Sequence, residues 1–310
     1  MKILVAGAKG MVGSAVVSEL EQRGADIVKL SRNEVDLENE KATVEFIADS
    51  KVEVIVDAAA KVGGVLSNKQ YPVDFLWRNI QIQNNLMKAA HLAGVKRLIF
   101  LGCSCIYPRD SVQPIKEEYL LSGPLEPTSS AFSVAKIAGI EMVNSYRKQF
   151  GLNWISLIPA NVFGPGDNFD ILQSHVVPAL IGKFDSAKRN GTKKVILWGD
   201  GSPMREFLYV SDLASAIIFC LENYNSDTPI NIGTGAEISI KDLANCISEQ
   251  IGFEGKIEWD SRRPMGTPRK ILDSSKLTTL GWSPKVSLQE GLAKTIEWHS
   301  ANAKKLGIGL

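Results

Sequence analysis

The stretch Lys2-Ile3-Leu4-Val5-Ala6-Gly7-Ala8-Lys9-Gly10-Met11-Val12-Gly13 decides the architecture of this chain. Ile3 to Ala6 reads as a short buried strand, and Met11 to Arg23 carries the apolar spacing of a helix. Gly7, Gly10 and Gly13 lie between and at the start of the two, in a G-x-x-G-x-x-G spacing. Glycines at a strand-to-helix junction permit a tight turn and let backbone approach a pyrophosphate closely. The helix N-terminus then adds amide donors and a favourable dipole. A glycine motif alone is weak; at this junction it is strong. Met11 and Val12, the first helical residues, belong to the same anion-binding turn.

Outward from this turn the pattern repeats. Strands are expected at Asp26 to Leu30, Val54 to Ala58, Arg97 to Leu101 and Trp154 to Ile158, and helices at Gln81 to Ala93 and Ser133 to Phe150. Alternation of this kind builds a parallel sheet with helices on both faces, so the fold class is α/β, a doubly wound sheet of Rossmann type. Ligands of such sheets bind at the carboxyl ends of the strands. After about Gly164 loops lengthen and Pro and Gly recur, with later strands at Lys194 to Trp198 and Pro229 to Ile232 and a helix at Ile240 to Ile251. Residues 1–163 are therefore expected to form the cofactor domain. Residues 164–310 should form a smaller α/β substrate-binding lobe that returns some segments to the main sheet, with Lys304 to Leu310 frayed.

NAD-binding folds usually place a carboxylate at the end of the second strand to grip the ribose 2′-hydroxyl. Here that strand ends Lys29-Leu30-Ser31-Arg32, with an arginine, and Lys9 lies in the glycine turn. Two cations favour a 2′-phosphate, hence NADP. A net charge of +1 implies no nucleic-acid or membrane patch. No apolar run reaches the ~20 residues of a membrane span. Four cysteines do not make a disulfide framework in a chain of this length; Cys220 and Cys246 read as core residues, and a reduced, cytoplasmic compartment is the simplest fit. Three scattered histidines offer no metal-ligand cluster, and His91 and His299 read as structural.

Further motifs are Ala58-Ala59-Ala60-Lys61-Val62-Gly63-Gly64, Cys103-Ser104-Cys105-Ile106-Tyr107-Pro108 and Ala135-Lys136-Ile137-Ala138-Gly139. The second half adds Gly164-Pro165-Gly166-Asp167-Asn168-Phe169, Ser174-His175-Val176, Pro203-Met204-Arg205-Glu206-Phe207 and Gly266-Thr267-Pro268-Arg269-Lys270. Through nearly its whole length the chain resembles the GDP-L-fucose synthase family of extended short-chain dehydrogenases/reductases. Those enzymes epimerise GDP-4-keto-6-deoxymannose at C3 and C5 and then reduce C4 with NADPH. The resemblance implies NADP(H) held by the glycine turn, Arg32, Ala59 and Lys136, and a homodimer formed through the helices Gln81 to Ala93 and Ser133 to Phe150. It implies Cys105 as base and His175 as acid of the epimerisation, on opposite faces of the sugar. Both groups titrate close enough to neutrality for that work. Asn161, Lys183, Trp198, Arg205 and Arg269 become the candidate contacts to a GDP-linked 4-keto-6-deoxy sugar, the arginines suiting its diphosphate.

The reductive set departs from the family. In the family a serine, a tyrosine and a lysine work together: the tyrosine hydroxyl protonates the carbonyl oxygen as hydride arrives, and the lysine lowers its pKa and holds the nicotinamide ribose; here Y-x-x-x-K reads Phe132-Ser133-Val134-Ala135-Lys136, and Cys103 takes the serine position. The lysine stays and the phenol is gone. Loss of a positioned general acid typically costs about 10²–10⁴-fold, so C4 reduction is expected to be impaired, unless Lys136 and a water, or one of Ser129, Ser130 and Ser133, stand in. An epimerase-only enzyme, an engineered inactive variant and a non-catalytic NADP- or nucleotide-sugar-binding protein are the alternatives.

Overall fold

A computed structural model describes residues 1–170, 173–262 and 266–303. The first half runs β1 (Lys2–Ala6), α1 (Met11–Gln22), β2 (Asp26–Leu30), α2 (Glu40–Ser50), β3 (Val54–Asp57), α3 (Val65–Gln70), α4 (Pro72–Leu92), β4 (Arg97–Leu101), α5 (Ser130–Phe150) and β5 (Ile155–Pro159). The second half runs β6 (Asn161–Phe163), α6 (Val176–Arg189), β7 (Lys194–Trp198), β8 (Met204–Tyr209), α7 (Val210–Asn223) and β9 (Ile230–Ile232). It closes with β10 (Glu237–Ser239), α8 (Ile240–Ile251), β11 (Lys256–Asp260), β12 (Arg269–Lys270), α9 (Ser275–Thr279) and α10 (Leu288–Ala301).

The main sheet has the order β2-β1-β3-β4-β5-β9, and all its pairs are parallel. Burial on both faces is written into the strands: every residue of β3 and β5 is buried, and Val-Ile-Val and Ile-Ser-Leu-Ile supply them. The order reverses beside β1, so the turn after β1 and the segment after β3 face each other at the switch point, where such sheets take their ligands. The sheet and its helices form one core that includes Ile3, Val56, Phe100, Trp154 and Leu157. Strand β9 and helix α7, from the second half, belong to that same core. A second core, with Phe163, Phe184, Leu197, Ile247 and Leu292, lies beneath the smaller sheets.

Two helices begin earlier than periodicity predicts. Helix α4 starts at Pro72, with Pro at its first position and Asp74 in its first turn, both favourable at a helix start. Its opening turns escape the pattern because Val73 and Trp77 are exposed apolar residues on the outer face. Helix α5 starts at Ser130 rather than Ser133. Helix α8 matches the expectation end to end: Ser239 caps it by accepting from the Asp242 amide at 3.0 Å, and Gly252 closes it in the left-handed region. The expected frayed end, Lys304 to Leu310, lies outside the described residues. No described helix is long and apolar enough to cross a membrane.

Candidate active site

The glycine turn is shaped by close approach. Gly7 has φ +77°, and a Cβ there would stand 2.6 Å from the Ala58 carbonyl oxygen; one on Gly13 would stand 2.1 Å from the Gly7 oxygen. Only glycine fits either place. Gly10 heads α1, which has no side-chain cap and no acidic residue in its first turn. Its amides are left for an anion, so the turn fits a dinucleotide pyrophosphate. Gly166 reaches back over this turn, within contact of Met11.

Lys9 and Arg32, the two expected ligands of a 2′-phosphate, are both exposed. Each already faces a carboxylate, Lys9–Glu34 at 3.4 Å and Arg32–Glu38 at 3.2 Å. Glu34 also accepts from the backbone and hydroxyl of Ser31, which hold its pKa below the ordinary range. The sequence reading missed this carboxylate because it lies beyond the strand and folds back. Exposed pairs of this kind contribute little, and either cation can turn to a phosphate.

The reductive corner is framed by close packing. A Cβ on Gly139 would strike the Phe100 ring at 2.2 Å, so α5 approaches the sheet closely at that point. Gln83 of α4 donates to the Ala135 carbonyl at 2.8 Å. Lys136 is thereby buried, its Nζ donating to the Leu101 carbonyl at 2.8 Å and lying 4.7 Å from the Phe100 ring centroid. Phe132 sits 6.0 Å from the same ammonium and packs edge-on against Phe75. Burial lowers the Lys136 pKa, and Asp57 opposes that shift. Asp57 ends β3 in register with Phe100, is 1% exposed, and accepts from the Ala59 amide at 3.1 Å; its other oxygen has no partner. Burial raises its pKa to about 6. Nothing in the strand pattern marked Asp57, since a buried strand tolerates any residue that finds a partner.

Of the three serines that could substitute for the phenol, Ser130 and Ser133 are occupied. The Ser133 hydroxyl is fully buried and donates to the carbonyl of Cys105 at 2.8 Å. Ser130 donates to the Pro127 carbonyl at 3.3 Å. Tyr107 is buried, its hydroxyl donates to Asn231 Oδ1 at 2.6 Å, and burial pushes its pKa far up.

Cys103 and Cys105 are joined by a disulfide, a correction to the expected separate thiols. The backbone accounts for it. Cys103 is extended, a one-turn 3₁₀ helix over Ser104–Ile106 buries Ser104, and the flanking cysteines come to a Cα separation of 5.4 Å, within the span a disulfide bridges. A disulfide sulfur has no proton to give or take. Cys220 and Cys246 remain free, Cys220 in the main core and Cys246 partly buried.

Cys105 lines a cleft with Glu126, Thr267, Arg269 and Lys270. Lys270 was quoted within a motif but given no role. It pairs in register with Arg205, and burial and that cation bring its pKa down to about 8. His175 keeps an exposed surface and lies outside the lining of this cleft; desolvation lowers its pKa, and the Lys270 charge lowers it further. The loop bearing His175 is held by glycine: the Gly64 amide donates to the Gln173 carbonyl at 2.7 Å, and a Cβ there would stand 2.3 Å from the Ser174 oxygen. The Gly63-Gly64 motif thus serves the histidine loop.

Lys183 of α6 lies 5.8 Å from the Trp198 ring, and burial lowers its pKa. Asn161 donates to the Glu206 carbonyl at 2.8 Å. Arg269 is forked onto Glu237 at 2.7 and 2.8 Å. Glu206, also missed, is buried and accepts from the amides of Thr234, Gly235 and Leu272 at 2.6, 2.8 and 2.9 Å, tying β8 to the segments before β10 and after β12.

Comparison with known proteins gives the family. Residues 3–233 match the family model described as the NAD dependent epimerase/dehydratase family. GDP-L-fucose synthase 1 of Arabidopsis thaliana is 49% identical over 302 residues, covering 97% of this chain and 94% of that one. A C. jejuni structure described as a GDP-6-OMe-4-keto-L-xylo-heptose reductase superposes with TM-score 0.92 at 35% identity, over 97% of this chain and 98% of that one. A Naegleria fowleri GDP-L-fucose synthetase bound to NADP superposes with TM-score 0.89 at 27% identity, over 98% and 95% of the two chains. The chain therefore belongs to the NAD dependent epimerase/dehydratase family, on its GDP-L-fucose synthase branch.

Proposed function

We propose that this chain is a GDP-L-fucose synthase-like, NADP(H)-dependent epimerase acting on a GDP-linked 4-keto-6-deoxy sugar, with C4 reduction impaired. The observation that carries this reading is the placement of Cys105 and Lys270 in the lining of one cleft, with Gly64 holding the loop that bears His175. In the dithiol state Cys105 removes a proton from a carbon alpha to the 4-keto group, C3 or C5. His175 returns one from the opposite face, and the ketone is restored with inverted configuration. Lys270, a cation beside the developing enolate, stabilises its negative charge. Arg205 and Arg269 hold the diphosphate, Arg269 exchanging Glu237 for it; Asn161, Lys183 and Trp198 complete the nucleotide-sugar contacts.

Gly7, Gly10, Met11, Val12, Gly13 and Ala59 would cradle the dinucleotide, Lys9 and Arg32 its 2′-phosphate, and Lys136 its nicotinamide ribose; bound NADPH supplies a hydride for C4. The protein has to supply the matching proton to O4, and Phe132 has none. With Ser133, Ser130 and Tyr107 engaged elsewhere, the corner favours epimerisation over reduction, which supports the epimerase-only reading as the second possibility. The enzyme is expected to be a cytoplasmic homodimer packed through α4 and α5.

The test is incubation of the reduced protein with GDP-4-keto-6-deoxymannose and NADPH in deuterated water, read by mass spectrometry of the nucleotide sugar. Deuterium should enter the sugar with little reduced product, and Cys105→Ala should lower that incorporation by about 10²–10⁴-fold. Incorporation no greater than in a protein-free control would overturn the assignment.

A further inference from the structure

We propose that Cys103 and Cys105 form a reversible thiol-modification site whose co-substrate is a small anionic disulfide of the glutathione type, and that closing it switches off proton transfer at Cys105. The consequence for catalysis rests on the reading of Cys105 as the epimerase base. The site itself rests on geometry alone.

Three features of the fold support it. The 3₁₀ turn over Ser104–Ile106 turns the intervening Ser104 inward and brings the two cysteines together, both partly exposed. Ser133 fixes the Cys105 carbonyl from below, so this arrangement is held by a buried hydrogen bond. The cleft that Cys105 lines also holds Arg109, Glu126, Arg269 and Lys270; Arg109 lies 3.6 Å from Glu126 and Arg269 is forked onto Glu237, so Lys270 is the cation that bears most on the thiol. Cations close to a thiol favour its thiolate, the form that attacks a disulfide, and they draw an anionic partner. Disulfides of reduced compartments, where they occur, are commonly transient and redox-sensing. Cys220 and Cys246, elsewhere in the chain, remain unpaired.

The chemistry balances as two exchanges. The Cys105 thiolate attacks one sulfur of the small disulfide; a Cys105 mixed disulfide forms and one small thiolate leaves. The Cys103 thiolate then attacks the Cys105 sulfur and expels the second small thiolate. The protein loses two electrons and the two cysteine protons, and the small disulfide is reduced to two thiols. In the closed state Cys105 cannot accept a proton, and Cys103, at the serine position of the reductive set, has no S–H to donate. A single event therefore disables both corners.

Full-length protein equilibrated with glutathione disulfide, then with dithiothreitol, tests this. Intact mass should show a loss of two hydrogens without a retained glutathione, and alkylation after unfolding should modify two cysteines in the oxidised protein and all four in the reduced. Deuterium incorporation into the sugar should fall by about 100-fold or more on oxidation and return on reduction. Cys103→Ser cannot close the pair: its oxidised form should carry one glutathione on Cys105. Four alkylatable cysteines after oxidation would overturn the site, and an oxidised protein with the pair closed and incorporation undiminished would overturn the switch. A pair that forms while neither redox state incorporates deuterium would uphold the modification site and sink the substrate reading instead.

Discussion

The corner around Lys136 and the cleft around Cys105 adjoin each other across the β4–α5 segment, and they have kept different things. At Lys136 the framework is complete: Gly139 against Phe100, Gln83 on the Ala135 carbonyl, and the ammonium on the Leu101 carbonyl. Phe132 stands where the family pattern has a phenol, and the hydroxyls of Ser130, Ser133 and Tyr107 are engaged with other partners. At Cys105 the titratable groups are all present, and one of them is tied up in a disulfide. The contrast teaches that position and chemistry are separately encoded. Buried packing fixes where a functional side chain sits, and it is indifferent to a single oxygen at the tip of a ring.

The most damaging change predicted strikes what both corners share. Gly13→Val would place carbon where only 2.1 Å separates a Cβ from the Gly7 oxygen. The turn must open, and NADPH affinity should drop about 100-fold or more, with a loss of a few kcal/mol in stability if the main chain shifts to make room. Fluorescence titration of NADPH beside a thermal melt measures both; unchanged affinity would mean that the turn does not hold the dinucleotide.

Phe132→Tyr separates the corners directly. Restoring the phenol beside Lys136 should raise C4 reduction of the GDP-keto sugar by about 10²–10⁴-fold and leave deuterium incorporation at the alpha carbons within about twofold. Product analysis under reducing conditions decides it. If reduction does not rise, the missing phenol is not what limits this corner.

Lys270→Met probes the cleft with a smaller effect, about tenfold at neutral pH, roughly the size of one partly screened charge interaction. Desolvation and, after it, the Lys270 charge lower the His175 pKa, so removing the charge lets that pKa rise part of the way. The Cys105 thiol, in its reduced state, loses a cation that favours thiolate. Both limbs of the pH profile for deuterium incorporation should therefore move to higher pH. A profile that only scales in height would assign Lys270 to substrate binding alone.

The least effect lies at Asp167, beside Gly166, where an added Cβ would stand 3.7 Å from the Met11 Cα. Burial raises its pKa to about 7, the Asn168 amide opposes this, and its second oxygen has no partner. From about pH 4 the unfolded chain releases this proton while the folded one keeps it until about pH 7, so wild-type stability declines across that window and is level above it. Asp167→Asn should escape the decline. Relative to wild type it should gain about 1–2 kcal/mol between pH 4 and pH 8, seen in denaturant midpoints. Parallel pH dependence of the two proteins would show that the carboxyl is ionised throughout.

Much of this was legible in the residues. Strand runs of β-branched residues, the glycine turn and the caps of α8 act within a few positions of themselves, and the elements they predict differ from the observed ones mainly at their ends. Helix α4 was truncated in the reading because Val73 and Trp77 break the apolar stripe. In the site, the motifs pointed to the right segments, but the roles of particular residues were uneven. Lys270 stood inside a quoted motif unrecognised, although strand alternation sends it the opposite way from Arg269. Asp57, Glu34 and Glu206 gave no local signal, because each acts through partners distant in sequence or through a fold-back of the chain.

The class of sheet, the cofactor turn and the absence of a phenol at position 132 follow from residue type and from spacing along the chain. That Cys103 and Cys105 are bonded, that the Ser133 and Tyr107 hydroxyls are engaged, and that Lys270 joins Cys105 in the lining of one cleft emerge in the folded chain alone. The physical reason is the same in each case: a hydrogen bond, a disulfide or a charge interaction depends on distance in space, and only the folded chain sets that distance.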